Sequence, residues 1–261
     1  MNLDGKVAFV TGGSSGIGRA SAAKLAADGA DVAILARERE ELHEAEDAIE
    51  EASGKEALPI VADISKYEDM QRATQQVVDE LGRLDILLAN AGINGTWAPI
   101  DELDMDEWKQ TIDINLTGTF ITIKTAVPHL REGGGSIIVT ASINGTRTFS
   151  LSGATAYATS KGGQVAMAKM LALELAPGGI RVNAICPGQV ATDIEERTER
   201  EELEGVRYPR DFPEGKVPLM KGEPGKPEQV AEVVAFLASD ESDLVTGTPV
   251  WVDGGQSLLM G

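Results

Sequence analysis

The stretch Val7-Ala8-Phe9-Val10-Thr11-Gly12-Gly13-Ser14-Ser15-Gly16-Ile17-Gly18 decides the fold. A short apolar run ends in a glycine-rich turn, and the Ala-rich segment Arg19 to Asp28 that follows has a helical pattern. Strand, glycine turn and helix together let a backbone approach a pyrophosphate, because the helix start presents free N–H groups and a positive dipole end. Gly12, Gly16 and Gly18 are spaced G-x-x-x-G-x-G, with Ser14, Ser15 and Ile17 completing the cradle. Taken alone, the turn also reads as a junction that merely packs tightly.

Outward from this unit the rhythm repeats. Strand runs fit Val32 to Ala36, Leu58 to Ala62, Ile86 to Ala89, Ser136 to Thr140, Arg181 to Ile185 and Pro249 to Val252. They are continuously apolar, as when helices cover both faces of a parallel sheet. Helical stretches near 38–53, 66–81, 105–131, 155–176 and 227–238 lie between them. The alternation predicts an α/β fold, a doubly wound parallel sheet of Rossmann type in a single domain spanning 1–261. Residues 192–226 break the rhythm with several Pro and Gly, four arginines and no strand pattern, and read as a mobile flap over the substrate site.

Composition narrows the function. Asp and Glu number 42 against 23 Lys and Arg, a net charge of −19. Such a surface repels phosphates, which argues against nucleic acid and anionic membranes as partners. The acids cluster at Glu38 to Glu51 and Glu195 to Glu204, as on solvated helix faces. No apolar stretch reaches the ~18 residues of a membrane span, and the first residues lack a signal-peptide pattern. Cys186 stands alone and reads as a buried inert thiol; with two histidines it makes a metal cluster implausible, and His43 and His129 have no evident partner in the sequence. A cytoplasmic, metal-free protein is expected.

Ligands of open α/β sheets collect at the carboxyl ends of the strands. Arg37 follows the second strand, where a guanidinium can hold a 2′-phosphate, and so favours NADP over NAD; it also fits a solvated residue among Glu38 and Glu40. Asp63 and Ile64 follow the third strand, and Asn90-Ala91-Gly92 the fourth; Asp63 also reads as a helix cap and Asn90 as a turn residue. Trp97, beyond the fourth strand, either lines a pocket or packs under a loop.

Tyr157 and Lys161 stand at i,i+4 on a helical stretch, which places phenol and ammonium on one face. A free phenol titrates near ~10, too high for a proton shuttle, and a neighbouring cation lowers it. Ser142 lies just beyond the fifth long strand, placed to polarise a carbonyl beside the phenol. Asn115, inside a long helical stretch, invites a helix irregularity or a water-held relay.

These pieces, in this order, resemble the short-chain dehydrogenase/reductase family over nearly the whole chain. The matching residues are Thr11 to Gly18, Asp63, Asn90-Ala91-Gly92, Asn115, Ser142, Tyr157 with Lys161, Pro187-Gly188 with Thr192, and Asp253-Gly254-Gly255. The resemblance implies that Tyr157 carries the substrate proton while Lys161 lowers its pKa and binds the nicotinamide ribose. It also implies that Ser142 holds the substrate oxygen and that Asn115 supports a water linking Lys161 to solvent. Pro187, Gly188, Val190 and Thr192 would contact the nicotinamide, and Met105 to Arg131 with Thr155 to Ala176 would pack a homotetramer. Two departures stand out. Ser142 and Tyr157 are two residues further apart than in many members, so the loop Ile143 to Ala156, with Arg147 and Phe149, borders the substrate. Gly13 replaces a common alanine and is expected to loosen the turn.

The reading is hydride transfer between NADP(H) and a secondary alcohol or ketone. The polar run Thr146 to Ser152 and Arg197, Arg200, Arg207 and Arg210 point to a small polar substrate such as a sugar, polyol or hydroxy acid. Reduction of 3-oxoacyl groups on an acidic carrier protein is the alternative, and a non-catalytic dinucleotide sensor the alternative of another class.

Overall fold

The structure is a computed structural model that describes residues 1–192, 194, 198–206, 218–220 and 222–259. Seven parallel strands form one sheet: β1 (Val7–Thr11), β2 (Asp31–Ala36), β3 (Leu58–Val61), β4 (Ile86–Ala89), β6 (Gly135–Thr140), β7 (Ile180–Pro187) and β9 (Pro249–Val252). Their spatial order is β3-β2-β1-β4-β6-β7-β9, so the chain reverses direction of growth between β1 and β4 and opens a crevice there. Along β1 the side chains alternate between two cores. Val7 and Phe9 face one, Ala8 and Val10 the other. Both faces are therefore dry, which is why the strand runs are continuously apolar.

Helices α1 (Gly16–Ala27), α2 (Glu40–Ser53) and α7 (Pro227–Ala238) cover one face. Ser21, Ala22 and Ala26 on α1 are small and buried, and α1 packs closely against α7 and α2. The other face is covered by α3 (Tyr67–Leu81), α5 (Gly118–Leu130) and α6 (Thr155–Leu175). Fully buried side chains such as Phe9, Leu87 and Ile123 each contribute about 1.5–3 kcal/mol of apolar transfer.

The helical stretch 105–131 is α4 (Met105–Ile112), a π-helical turn over Asp113–Thr117 and then α5, so the helix runs on and carries the irregularity that Asn115 invited. One sequence expectation needs correction. The segment 192–226, expected to lack strands, holds β8 (Glu199–Arg200), which pairs in parallel with β5 (Thr96–Trp97) as a separate two-stranded sheet. Both strands are two residues long, below what periodicity can signal. Arg197, Arg207 and Arg210 lie outside the described residues. Among the described residues no helix is long and apolar enough to cross a membrane.

Candidate active site

The turn after β1 is held by β4. Asn90 donates its backbone N–H to the Thr11 hydroxyl (3.1 Å) and its amide Nδ2 to the carbonyls of Thr11 (3.2 Å) and Gly12 (3.1 Å). Asn90 is thus a brace for the turn. A Cβ at Gly18 would overlap the Gly12 carbonyl, and one at Gly12 would come within 2.8 Å of the Ala91 Cα. Gly13 does not loosen this turn as expected. A Cβ there would meet Ile34 at 2.9 Å, so the glycine lets β2 pack against it. Helix α1 starts with no acidic residue in its first turn and no side-chain cap from Ser15. Its leading N–H groups suit an anion.

At the end of β2, Arg37 is exposed, and its charge reaches Asp63 beyond β3. Burial raises the Asp63 carboxyl, but hydrogen bonds from Ser65 (N–H 3.0 Å, hydroxyl 2.7 Å) and the charges of Lys66 and Arg37 outweigh it and hold it below the usual range. Asp63 does not cap α3, whose N-cap is Lys66. Ile64 is buried in the core against Gly118. Ser14 donates to Glu41 (3.4 Å), which sequence reasoning did not single out.

Tyr157 and Lys161 emerge from the first turns of α6 beside the carboxyl end of β6. The Lys161 ammonium is 4% exposed, donates to the Thr140 carbonyl (2.7 Å) and lies 5.6 Å from the Tyr157 ring centre. Burial lowers its pKa to about 8. Burial also raises the Tyr157 phenol above its ordinary value, while the Ser142 hydroxyl, hydrogen-bonded to it, pulls the other way. The expected lowering of Tyr157 by Lys161 is not what sets it here: burial outweighs the hydrogen bond from Ser142. Ser142 also accepts from the Asn144 N–H (3.1 Å). Cys186 is buried and pushed up to about 11 chiefly by desolvation, as befits an inert thiol.

Asn115 sits in the π-helical turn, the helix irregularity expected of it. Its side chain bridges the loop after β4 to α6. Oδ1 accepts from Ile93 N–H (2.8 Å), while Nδ2 donates to the Ile93 carbonyl (2.8 Å) and the Ser160 hydroxyl (3.1 Å). Its backbone carbonyl accepts from Gln164 Nε2 (2.7 Å) and the Thr119 hydroxyl (2.7 Å). Gln164 was missed, since an amide on a helix carries no sequence signal of what it will meet.

Pro187 ends β7, and its carbonyl accepts from Ile143 N–H (3.0 Å), tying the strand to the Ser142 loop. Gly188 is hemmed by Asp253 and Gln256, and Gln189 N–H donates to Gln256 Oε1 (2.8 Å). Val190 pairs with Gly225, which clasps the base of the flap, and Thr192 reaches the glycine turn, its methyl 2.9 Å from where a Gly16 Cβ would stand. Further along, Trp97, Ala154 and Leu203 form a small core, with Leu151, Val206 and the Tyr157 ring packed on it. Trp97 packs under the flap segment, and the guanidinium of Arg200 lies 4.8 Å from its ring centre. Arg147 stacks on Trp251 at 3.5 Å, and Phe149 is exposed. His43 does have a partner, Glu46, 3.2 Å from Nδ1 on the same exposed helix face.

A family model described as enoyl-(acyl carrier protein) reductase matches residues 12–257. Glucose 1-dehydrogenase 2 of Bacillus subtilis (strain 168) is 35% identical over 261 residues, covering 98% of this chain and 96% of that protein. The chain belongs to the short-chain dehydrogenase/reductase family. Solved members superpose closely. The structure of a 3-ketoacyl-ACP reductase from Sinorhizobium meliloti 1021 has a TM-score of 0.91 at 50% identity, covering 97% of this chain and 99% of its own. An NAD⁺-bound xylitol dehydrogenase has a TM-score of 0.87 at 34% identity, covering 98% and 100%. As a short-chain dehydrogenase/reductase the protein is an NAD(P)-dependent oxidoreductase acting on a CH–OH group. The glycine turn, its uncapped helix start and the open β1/β4 crevice fit a nicotinamide dinucleotide.

Proposed function

We propose that the protein transfers a hydride between NADP(H) and a secondary alcohol or ketone, with Tyr157 as the proton carrier. One observation carries the reading: phenol, Ser142 hydroxyl and desolvated Lys161 ammonium converge at the sheet edge next to the glycine turn. When bound, the nicotinamide supplies or accepts the hydride. In ketone reduction Ser142 polarises the carbonyl and Tyr157, kept protonated by burial, donates to the developing alkoxide. In alcohol oxidation the proton runs back to Tyr157, and the nearby Lys161 charge steadies the phenolate. Asn115 acts as a positioning residue, locking α6 to the loop after β4. Gly12, Ser14, Ser15, Gly16, Ile17 and Gly18 would cradle the pyrophosphate. Asp63, Ile64 and Asn90-Ala91-Gly92 would frame the adenosine side, and Pro187, Gly188, Val190 and Thr192 the nicotinamide. Arg37 favours NADP by offering an exposed guanidinium at the end of β2.

The test is Tyr157→Phe. Turnover should fall at least about 10³-fold with cofactor affinity unchanged; turnover within tenfold of the parent would remove Tyr157 from the mechanism. Exposed Phe120, Met170 and Leu173 on α5 and α6 support a homotetramer through those helices, and the lone buried cysteine supports a cytoplasmic setting.

A second reading, reduction of 3-oxoacyl groups on a carrier protein, is favoured by the name of the 50% identical Sinorhizobium structure. Against it stands the net charge of −19, which opposes docking of an acidic carrier. Sugars and polyols, named in the Bacillus and xylitol relatives, match the polar run 146–152, yet the described site offers them few open partners.

A further inference from the structure

We infer that the substrate carries an apolar body on its carbinol or carbonyl carbon, an alkyl or alicyclic ketone or the corresponding alcohol, and is not polyhydroxylated. The inference rests on the Tyr157 reading for where the reacting carbon sits. Three segments distant in sequence bring Trp97, Ala154 and Leu203 into one buried cluster, and Leu151, Val206 and the Tyr157 ring lie on it half-exposed. A group bonded to the carbon that faces the phenol therefore meets hydrocarbon.

Among the described residues, several polar atoms nearby are already engaged. Trp97 donates its indole N–H back to the Asn94 carbonyl (3.3 Å), and the Asn94 amide donates to Thr198 (2.7 Å) and the Ile194 carbonyl (3.4 Å). Thr96 bonds Glu107 (2.6 Å). In the run that suggested a polar substrate, Thr146 donates to the carbonyls of Ser142 (2.8 Å) and Ile143 (2.9 Å), and Arg147 is drawn onto Trp251. The Thr148 and Ser150 hydroxyl oxygens are buried, with no hydrogen-bond partner among the described residues. A sugar pressed against this wall would exchange water for hydrocarbon at several hydroxyls, whereas a ring or chain gains with every methylene.

The experiment uses the whole enzyme and the series cyclopentanone, cyclohexanone, cycloheptanone, with glucose and xylitol as the polar arm. Initial rates are measured with NADPH for the ketones and NADP⁺ for the corresponding cycloalkanols, glucose and xylitol, and ketone dissociation constants by ligand-observed NMR with saturating NADP⁺, a pair that cannot react. Both affinity and kcat/KM should rise about threefold to fourfold per ring methylene, and Leu151→Asn should cut that to less than twofold. A flat ketone series, or glucose or xylitol turned over with higher kcat/KM than the cycloalkanols, overturns the apolar assignment and leaves Tyr157 untouched. A rising affinity series without turnover of any compound upholds the apolar wall and strikes the Tyr157 reading instead. Should Leu151→Asn fail to fold, the parent series alone decides.

Discussion

Around the glycine turn, Thr192 apart, the residues that meet mostly lie at the ends of adjacent parallel strands, as Thr11, Gly12 and Asn90 do. Around Tyr157 the wall is drawn from remote segments: Asn94 and Thr198, 104 positions apart, share a hydrogen bond, and Leu203 fills the space left by Gly153. The cofactor side is built into the sheet. The Tyr157 side depends on the described part of a long loop docking back, and closing such a loop costs entropy that its contacts must offset.

The strongest way to break that contrast is Gly18→Ala. Its Cβ would press on the Gly12 carbonyl, so NADPH affinity by fluorescence titration should weaken on the order of 100-fold. A loss under threefold would reduce the turn to a packing junction.

Where the two sides meet, Lys161→Met should abolish turnover yet stabilise the fold by about 1–3 kcal/mol at pH 7. Burial holds the folded pKa at about 8 against the ordinary lysine value of 10.5, so between those values the unfolded chain binds more protons. The cost of the buried ammonium is full below pH 8 and fades as pH rises toward 10.5. Urea melts should therefore show the gain shrinking from pH 7 to pH 10; an equal gain at both would mean that Lys161 is not desolvated.

Gly153→Ala tests the substrate side by itself. Gly153 has φ +75°, and a Cβ would stand 2.5 Å from Leu203 and 2.9 Å from the Ala98 nitrogen. We expect KM for the ketone to rise about tenfold while NADPH affinity holds. If both move together, the two regions are one cooperative unit. The smallest effect is expected from Arg37→Asp, which should lower the NADP-over-NAD affinity ratio about fivefold, as suits an exposed charge. Equal binding of both cofactors by the parent would leave Arg37 a surface residue.

Much of the fold was legible because its signals are local. Ile86–Ala89 and Pro249–Val252 match their apolar runs to the residue, and Tyr157 and Lys161 share a helix face because i,i+4 spacing allows nothing else. The irregular turn at Asn115 was legible, whereas the two-residue strands and Gln164 were not. Each follows from a distant partner. Thr146 to Ser152 reads as a polar run in the sequence, but only the fold shows that Thr146 bonds its own loop and that Arg147 lies on Trp251.

By itself, then, the sequence determined the parallel sheet, the crevice for the dinucleotide and the presence of Ser142, Tyr157 and Lys161 at one edge. Tertiary structure alone decided what surrounds them: burial that raises the phenol and lowers the ammonium, the Asn115 amide bridging the loop after β4 to α6, and an apolar cluster packed on the Tyr157 ring. The physical reason is that periodicity and spacing record which face of its own element a side chain occupies. Desolvation and hydrogen-bond partners depend on segments about fifty to a hundred residues away, which meet only when the sheet has formed.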